Sequence, residues 1–242
     1  MRLSGSAVLV TGGSRGLGAA IGRELARRGA RVVLVARGRE EVEAVAAEIR
    51  AWGGEAHGLA ADVGSKDQIY PLAGAATALV GPIDVLVHNA STLGPLPLQP
   101  LAETECEEFQ RVLDVNLIGP FRLTKAVVGS MALRGRGLIV GISSDAAVVG
   151  YPGWGAYGVA KAALDHLLET WAAELGDSGV RFVSIDPGEM DTDMHAAAMP
   201  EADRTSLADP ADVAARIAGL LETGESIPNG GRLEINHLGA PA

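Results

Sequence analysis

Cysteine is nearly missing from this chain: Cys106 stands alone among 242 residues. A single cysteine forms no internal disulfide and no thiolate zinc centre, and it suits a reducing, cytoplasmic setting. Aromatic residues are 4% of the chain, so Ala, Val, Leu and Ile have to fill the core. No apolar run approaches the roughly 18 residues that a membrane-crossing helix needs. Met1-Arg2-Leu3-Ser4 leads straight into a strand-like run, without the apolar stretch of a signal peptide. Basic residues are the minority: 20 Lys+Arg against 30 Asp+Glu leave a net charge of −10. That balance argues against nucleic-acid or anionic-membrane partners, but it leaves room for a local basic pocket that takes phosphate. What abounds is glycine, at 32 residues, within a chain that is 48% hydrophobic. The length allows one large α/β domain or two small ones.

Short β-branched runs alternate with amphipathic stretches. Strands are expected at Ala7–Thr11, Arg31–Ala36, Glu55–Ala60, Ile83–His88, Leu138–Ser143, Val180–Asp186 and Arg232–Asn236. Most are apolar throughout, as parallel strands covered on both faces should be. Helices are expected at Gly16–Arg28, Arg39–Trp52, Lys66–Leu79, Glu103–Leu113, Leu117–Leu133, Ala156–Leu175 and Pro210–Glu222. The last opens with Asp209-Pro210, an N-cap followed by proline at the first helical position. This alternation implies a three-layer, doubly wound parallel sheet of about seven strands, Rossmann-like, in one domain over residues 1–242. Two connections, Thr92–Ala102 and Asp193–Asp209, are long, and such folds place substrate contacts on long loops.

After the first strand comes Thr11-Gly12-Gly13-Ser14-Arg15-Gly16-Leu17-Gly18, opening a helix. Glycines there permit a tight turn and close approach of a pyrophosphate, and the helix N-terminus offers free N–H groups. The spacing Gly12-x-x-x-Gly16-x-Gly18 differs from G-x-G-x-x-G, and a tight turn without ligand is the alternative. An NAD site usually carries an acid at the end of the second strand, for the ribose 2′-hydroxyl. Here Ala36 holds that place and Arg37 follows, with Arg15 inside the glycine loop. Two guanidiniums and no carboxylate suit a 2′-phosphate, so NADP(H) is expected ahead of NAD(H). Two solvated surface arginines are the plain alternative.

Tyr157 and Lys161 stand four residues apart at the start of an expected helix, on one face. A nearby ammonium favours phenolate, which would bring a tyrosine pKa of about 10 closer to neutrality. Gly141-Ile142-Ser143-Ser144 ends the fifth strand, where a hydroxyl could bind a reacting oxygen. Alone, the Tyr-x-x-x-Lys pair is an ordinary exposed helix pair.

Taken together, Thr11-Gly12…Gly16-Leu17-Gly18, Asp62-Val63, Asn89-Ala90, Asn116, Ser143-Ser144, Tyr157-x-x-x-Lys161 and Pro187-Gly188-x-x-x-Thr192 resemble the motifs of the short-chain dehydrogenase/reductase family, in family order. The resemblance implies hydride transfer between NADP(H) and a carbonyl or secondary alcohol. Tyr157 would be the general acid of reduction and the base of oxidation. Lys161 would lower its pKa and bind the nicotinamide ribose. Ser144, rather than Ser143, would polarise the carbonyl, because the family's serine stands thirteen residues before the tyrosine. Asn116 would hold a water in a proton relay to Lys161. Asp62 and Val63 would flank the adenine, Asn89 and Ala90 would line the cofactor, and Pro187, Gly188 and Thr192 would hold its nicotinamide end. A cap before Gly64 for Asp62, a plug in a helix break for Asn116 and a simple turn for Pro187-Gly188 are the alternatives.

The chain departs from the family at His88-Asn89-Ala90-Ser91, where relatives commonly read Asn-Asn-Ala-Gly. Ser91 is expected beside the cofactor, without touching the catalytic set. Asp145 follows the catalytic serine, where a small or apolar residue is common. Asn229-Gly230-Gly231 precedes the last strand, which puts the family's C-terminal tetramer contacts in doubt. Substrate loops near 92–102, 145–156 and 189–209 carry Leu93, Leu96, Leu98, Val148, Val149, Tyr151, Trp154, Met194 and Met199, and imply a partly apolar small-molecule substrate. Asp145, Glu189 and His195 could add polar recognition, with solvated loop residues as the favoured alternative. His195 has no partners at ligand spacing, so no metal is expected. The helices Leu117–Leu133 and Ala156–Leu175 suit a homodimer or homotetramer. A non-redox epimerase or dehydratase, and an NADP-binding sensor, are the competing readings.

Overall fold

The computed structural model describes residues 2–223 and 228–235. Its centre is a parallel sheet of seven strands in the order β3-β2-β1-β4-β5-β6-β7. The strands are β1 (Ala7–Thr11), β2 (Arg31–Ala36), β3 (Glu55–Ala60), β4 (Val85–His88), β5 (Gly137–Ile142), β6 (Val180–Asp186) and β7 (Arg232–Glu234). The expected Asn236 end of the last strand lies outside the described residues. The central strands β1, β4 and β5 are buried along their whole length. β3, at the sheet edge, is partly open, which explains why its sequence Glu-Ala-His-Gly-Leu-Ala is less apolar than the rest.

Alternate residues of β1 serve opposite faces. Val8 and Val10 enter one apolar cluster with Leu25, Ile49 and Ile217. Ala7 and Leu9 enter the other with Ile69, Leu123 and Leu164. The first face is covered by α1 (Gly16–Arg27), α2 (Arg39–Ala51) and α8 (Pro210–Thr223). The second is covered by α3 (Lys66–Val80), α5 (Gly119–Leu133) and α6 (Gly155–Glu174). The expected three-layer, doubly wound architecture is therefore the observed one. The strand order turns between β1 and β4, and such switch points open a crevice at the carboxyl ends of the strands.

Two elements differ from expectation. α4 (Cys106–Leu113) starts later than the residue pattern implies, after a 3-10 turn at Leu101–Glu103. It then runs through a π-helical turn at Asp114–Ile118 into α5, so there is no break at Asn116. The extra residue of a π turn shifts the helix face locally and marks functional sites in many folds. A short helix, α7 (Asp193–Ala198), also interrupts the expected loop after residue 192. Thr192 caps it, accepting from the His195 N–H at 3.2 Å. One turn held by a single cap leaves little periodicity to read.

His88 sits at the end of β4, wholly enclosed, with Nε2 2.8 Å from the Thr124 hydroxyl. Burial, helped by the nearby Lys161 charge, pushes its pKa down to about 3. An unfolded chain takes up the proton near pH 6.5, while the folded chain does not. Stability from this residue is thus complete above about pH 6.5 and drains by about 1.4 kcal/mol per pH unit toward pH 3. Urea unfolding at pH 7 and about pH 4.5 checks this: His88→Asn should lose clearly less stability on acidification than the parent. Parallel losses would show that His88 is not the sensitive group.

Candidate active site

The crevice is floored by a turn that admits no side chains. Gly12 has φ +70, and a Cβ there would lie 2.8 Å from Ala90 Cα. A Cβ on Gly18 would run into the Gly12 carbonyl and the Asn89 amide. Asn89 Nδ2 donates to the carbonyls of Thr11 at 2.9 Å and Gly12 at 3.2 Å. The Thr11 hydroxyl accepts from the N–H groups of Asn89 and Ala90 and donates to Val87 O at 3.2 Å. Asn89 and Thr11 therefore sew the ends of β1 and β4 together. This stitching role of Thr11 was not anticipated from the residues. α1 begins at Gly16, whose open side faces Thr192 across the crevice, with the nearest Thr192 atom 3.5 Å from a Cβ placed there. Ser14 and Arg15 stand at this rim, and Leu17 is buried beneath it.

At the end of β2, Ala36 is half-buried and Arg37 is exposed, and Arg39, the first residue of α2, is exposed beside them. Among the described residues neither Arg37 nor Arg39 has an ion-pair partner, whereas Arg15 lies 3.8 Å from Asp193. Arg39 was not picked out from the sequence, where a basic residue at a helix start has no distinguishing pattern. After β3, Gly64 N–H donates to the Asp62 carboxylate at 2.9 Å, so Asp62 caps this turn. Val63 is buried under Gly119, the first residue of α5.

Tyr157 and Lys161 lie one turn apart on α6, both largely enclosed. Lys161 Nζ donates to Ile142 O at 2.6 Å and stands 5.5 Å from the centre of the Tyr157 ring. Burial lowers the Lys161 pKa to about 8, with Asp165 and Asp186 opposing the fall. Burial also raises the Tyr157 phenol to about 12, against the pull of the Ser144 hydroxyl. The shift is upward where a downward one was expected: desolvation first, then the charges of Asp145 and Asp186, favour the neutral phenol.

Ser144 sits beside the phenol, and its hydroxyl donates to Asp145 Oδ1 at 2.9 Å. Asp145 Oδ2 accepts from the Tyr151 hydroxyl at 2.9 Å. Ser143 points away, into α6, donating to Asp165 Oδ2 at 2.7 Å. Ser144 is therefore the serine on the tyrosine's side, as the spacing implied. Ser91 differs from expectation: its hydroxyl oxygen is buried without a hydrogen-bond partner, and with Ser144 it opposes the rise of the Tyr157 pKa. Asn116, inside the π turn, spends its amide on the loop opposite: Nδ2 donates to Thr92 O and Oδ1 accepts from Thr92 N, both at 2.9 Å. The direct partner of Lys161 Nζ is Ile142 O, not the Asn116 amide.

Behind these groups lies a clasp not anticipated from the sequence. Arg232 on β7 reaches Asp186 Oδ2 at 2.6 Å, Ser144 O at 3.1 Å and Asp165 Oδ2 at 3.4 Å. The other Asp186 oxygen accepts from Gly188 N at 2.9 Å, which fixes the start of the Pro187-Gly188 segment. On the open side, Tyr157 packs with Leu93, Ala146, Leu98, Trp154 and Met194, which come from the segments 92–102, 145–156 and 189–209. Trp154 meets the Tyr157 ring edge-on at 5.7 Å. A groove of about 240 Å³ continues between the 92–102 segment and α4, lined by Leu93, Leu98, Val112 and Ala156. His195 Nε2 stands 3.6 Å from Glu189 and makes no hydrogen bond.

Residues 6–203 match the family pattern described as short chain dehydrogenase. A 3-oxoacyl-[acyl-carrier-protein] reductase of Synechocystis is 39% identical over 194 residues, which are 79% of this chain and 77% of that protein. The glycine betaine reductase of Emericella nidulans is 36% identical over 192 residues, 79% of this chain, but the chain spans just 15% of that protein's length. A metagenomic short-chain oxidoreductase solved in complex with NADP superposes with a TM-score of 0.79, at 36% identity over 92% of each chain. A 7α-hydroxysteroid dehydrogenase, solved with NADH and 7-oxo glycochenodeoxycholic acid, superposes with a TM-score of 0.89 at 29% identity, over 100% of this chain and 96% of that one. Sheet order, glycine turn, and a tyrosine and lysine buried one turn apart agree with these matches: the chain belongs to the short-chain dehydrogenase family.

Proposed function

We propose that this chain is an oxidoreductase that moves a hydride between NADP(H) and a carbonyl or secondary-alcohol substrate, with Tyr157 as general acid and base. The observation that carries this reading is the phenol beside a buried ammonium, at the carboxyl ends of the strands and across from the glycine turn. The residues fit a dinucleotide on their own geometry. The glycine turn, packed so closely on Asn89 and Ala90 that residues 12 and 18 admit no side chain, and the start of α1 with Ser14, Arg15, Gly16 and Leu17 suit a close-lying pyrophosphate. Arg37 and Arg39, exposed and free of ion pairs among the described residues, suit a 2′-phosphate better than a 2′-hydroxyl. Asp62 and Val63 flank the adenine side. Asn89 and Ala90 line the crevice floor, and Pro187, Gly188 and Thr192 hold the nicotinamide side.

The bound cofactor supplies or accepts the hydride. Tyr157, held protonated by its burial, hands a proton to the substrate oxygen in reduction and takes it back in oxidation. Lys161 offers a fixed positive charge near the ring and an amine for the ribose hydroxyls. Ser144 turns its hydroxyl from Asp145 toward the substrate oxygen and polarises the carbonyl. With the Asn116 amide engaged by Thr92, a water relay to Lys161 would use the Asn116 main-chain carbonyl. The apolar wall of Leu93, Leu98, Trp154 and Met194 supports a partly apolar substrate carried by one domain with three substrate loops. Exposed Val159 on α6 and Leu133 on α5 support a homo-oligomer built through those helices. An idle sensor would have no need of the Ser144, Tyr157 and Lys161 set, and nothing in the crevice favours an epimerase or dehydratase.

Replacement Tyr157→Phe should lower kcat by at least about a hundredfold while the NADPH dissociation constant stays within about threefold. NADPH absorbance against a panel of diketones, quinones, aldehydes and ketosteroids, with titration calorimetry, checks both values. Activity undiminished in this variant would refute the role of Tyr157. Arg37→Asp should cut the NADPH-to-NADH ratio of kcat/KM by about tenfold or more, the worth of one charge-assisted phosphate contact. An unchanged ratio would remove Arg37 from the phosphate site.

A further inference from the structure

A hydroxyl has one hydrogen to give, and Ser144 gives its own to Asp145 Oδ1 at 2.9 Å. In the reading proposed above, on which this inference rests, that hydrogen turns to the substrate oxygen and polarises the carbonyl. Turning it takes a donor away from Asp145. The carboxylate also accepts from the Tyr151 hydroxyl, on Oδ2 at 2.9 Å, and from the Ala146 N–H, on Oδ1 at 2.8 Å. Neither replaces the lost donor: the N–H is fixed in the 3-10 turn at Asp145–Ala147, and Tyr151 serves the other oxygen. Water serves an exposed carboxylate such as Asp145, but a substrate held by Ser144 displaces it. A carboxylate shut off from water and short of a donor is costly, whereas one whose donor is replaced in kind is not.

The distances say what can replace it. A carbonyl oxygen polarised by Ser144 lies one hydrogen bond, about 2.8 Å, from its hydroxyl oxygen. That hydroxyl oxygen lies 2.9 Å from Asp145 Oδ1. The carbonyl oxygen is therefore within about 6 Å of the carboxylate, a span that a group on the adjoining carbon bridges. We propose that the substrate carries a hydrogen-bond donor, a hydroxyl or an ammonium, on the carbon next to its carbonyl, and that Asp145 is the specificity-determining residue that receives this donor.

The surroundings favour a donor and oppose an anion. The Tyr151 phenol is pushed up, first by its hydrogen bond to Asp145 and also by the charges of Glu189 and Asp186. Negative charge on this side attracts an ammonium and repels a carboxylate on the same carbon. The apolar wall of Leu93, Leu98, Trp154 and Met194 takes the aryl or alkyl remainder of the molecule. The reaction balances with no further partner. The carbonyl carbon gains the hydride of NADPH, Tyr157 gives its proton to the oxygen, and the donor keeps its hydrogens. The products are NADP⁺ and a vicinal diol or amino alcohol.

The experiment compares kcat/KM, with NADPH, for α-hydroxyacetophenone, α-aminoacetophenone, propiophenone, α-methoxyacetophenone and benzoylformate in the parent, Asp145→Ala and Asp145→Asn. Propiophenone puts a methyl in place of the hydroxyl, the methoxy compound keeps the oxygen without its hydrogen, and benzoylformate places a carboxylate next to the carbonyl. The parent should prefer the hydroxy and amino ketones to the methyl and methoxy ones by about tenfold or more, the worth of one hydrogen bond to a charged group. Benzoylformate should be the poorest of the five. In Asp145→Ala the hydroxy-to-methyl ratio should fall to about threefold or less. Asp145→Asn keeps an acceptor and loses the charge, so the amino ketone should lose more than the hydroxy ketone. Each ratio is taken within one protein, so a general loss of activity in a variant cancels. A parent that reduces carbonyls of the wider panel but shows no preference for the donor-bearing ketones, or a preference that survives in Asp145→Ala, overturns the role of Asp145 alone. A parent that reduces nothing overturns the oxidoreductase reading and the role of Asp145 with it.

Discussion

A lysine ammonium at 2% exposure is the costly feature around which this site is built. Taking a charge out of water is tolerated only where other groups replace the water. The Ile142 carbonyl does so directly, and Asp165 and Asp186 do so through their charge. Those two carboxylates in turn need a cation, and Arg232 on β7 provides it. Because the same guanidinium holds the Ser144 carbonyl and Asp186 holds Gly188, solvating Lys161 also sets Ser144 and the segment after β6. The active-site geometry is in this sense the solution of an electrostatic problem.

A second constraint is steric. β1 and β4 end so close together that side chains at residues 12 and 18 have no room, and Asn89 and Thr11 fill the gap with hydrogen bonds. The result is a floor of bare backbone at the switch point of the sheet, which is the place such folds offer to a dinucleotide phosphate. The glycine turn and the groups around Lys161 thus rest on different strands of one sheet: β1, β2 and β4 on one side, β5, β6 and β7 on the other.

Three of the departures from the family lie near the Tyr157–Lys161 pair. His88 replaces a polar amide with a ring that has to stay neutral, Ser91 adds a buried hydroxyl, and Asp145 takes the hydrogen of Ser144. Asp145 and Ser91 both bear on the Tyr157 phenol, while His88 feels the Lys161 charge.

Much of this was legible in the residues alone. Buried parallel strands must be apolar on both faces, so their runs stand out, and glycine turns, caps and the Tyr-x-x-x-Lys spacing are local signals within a few residues. The fold and the pair on α6 follow from such signals. Asn116 shows where they fail: its π turn lacks a composition of its own, and the partner of its amide, Thr92, is 24 residues away. Ser91 looked like a neighbour of the cofactor alone, because its effect on Tyr157 crosses from the end of β4 to α6. Arg232, distant from Ser144 by 88 positions, carried no sequence mark at all. Local sequence thus determined which elements form and which candidate groups they bear. Only the tertiary structure decided how each group is solvated, because burial and partners are contributed by distant strands, and that is why the phenol's pKa rises where the neighbouring lysine alone would have it fall.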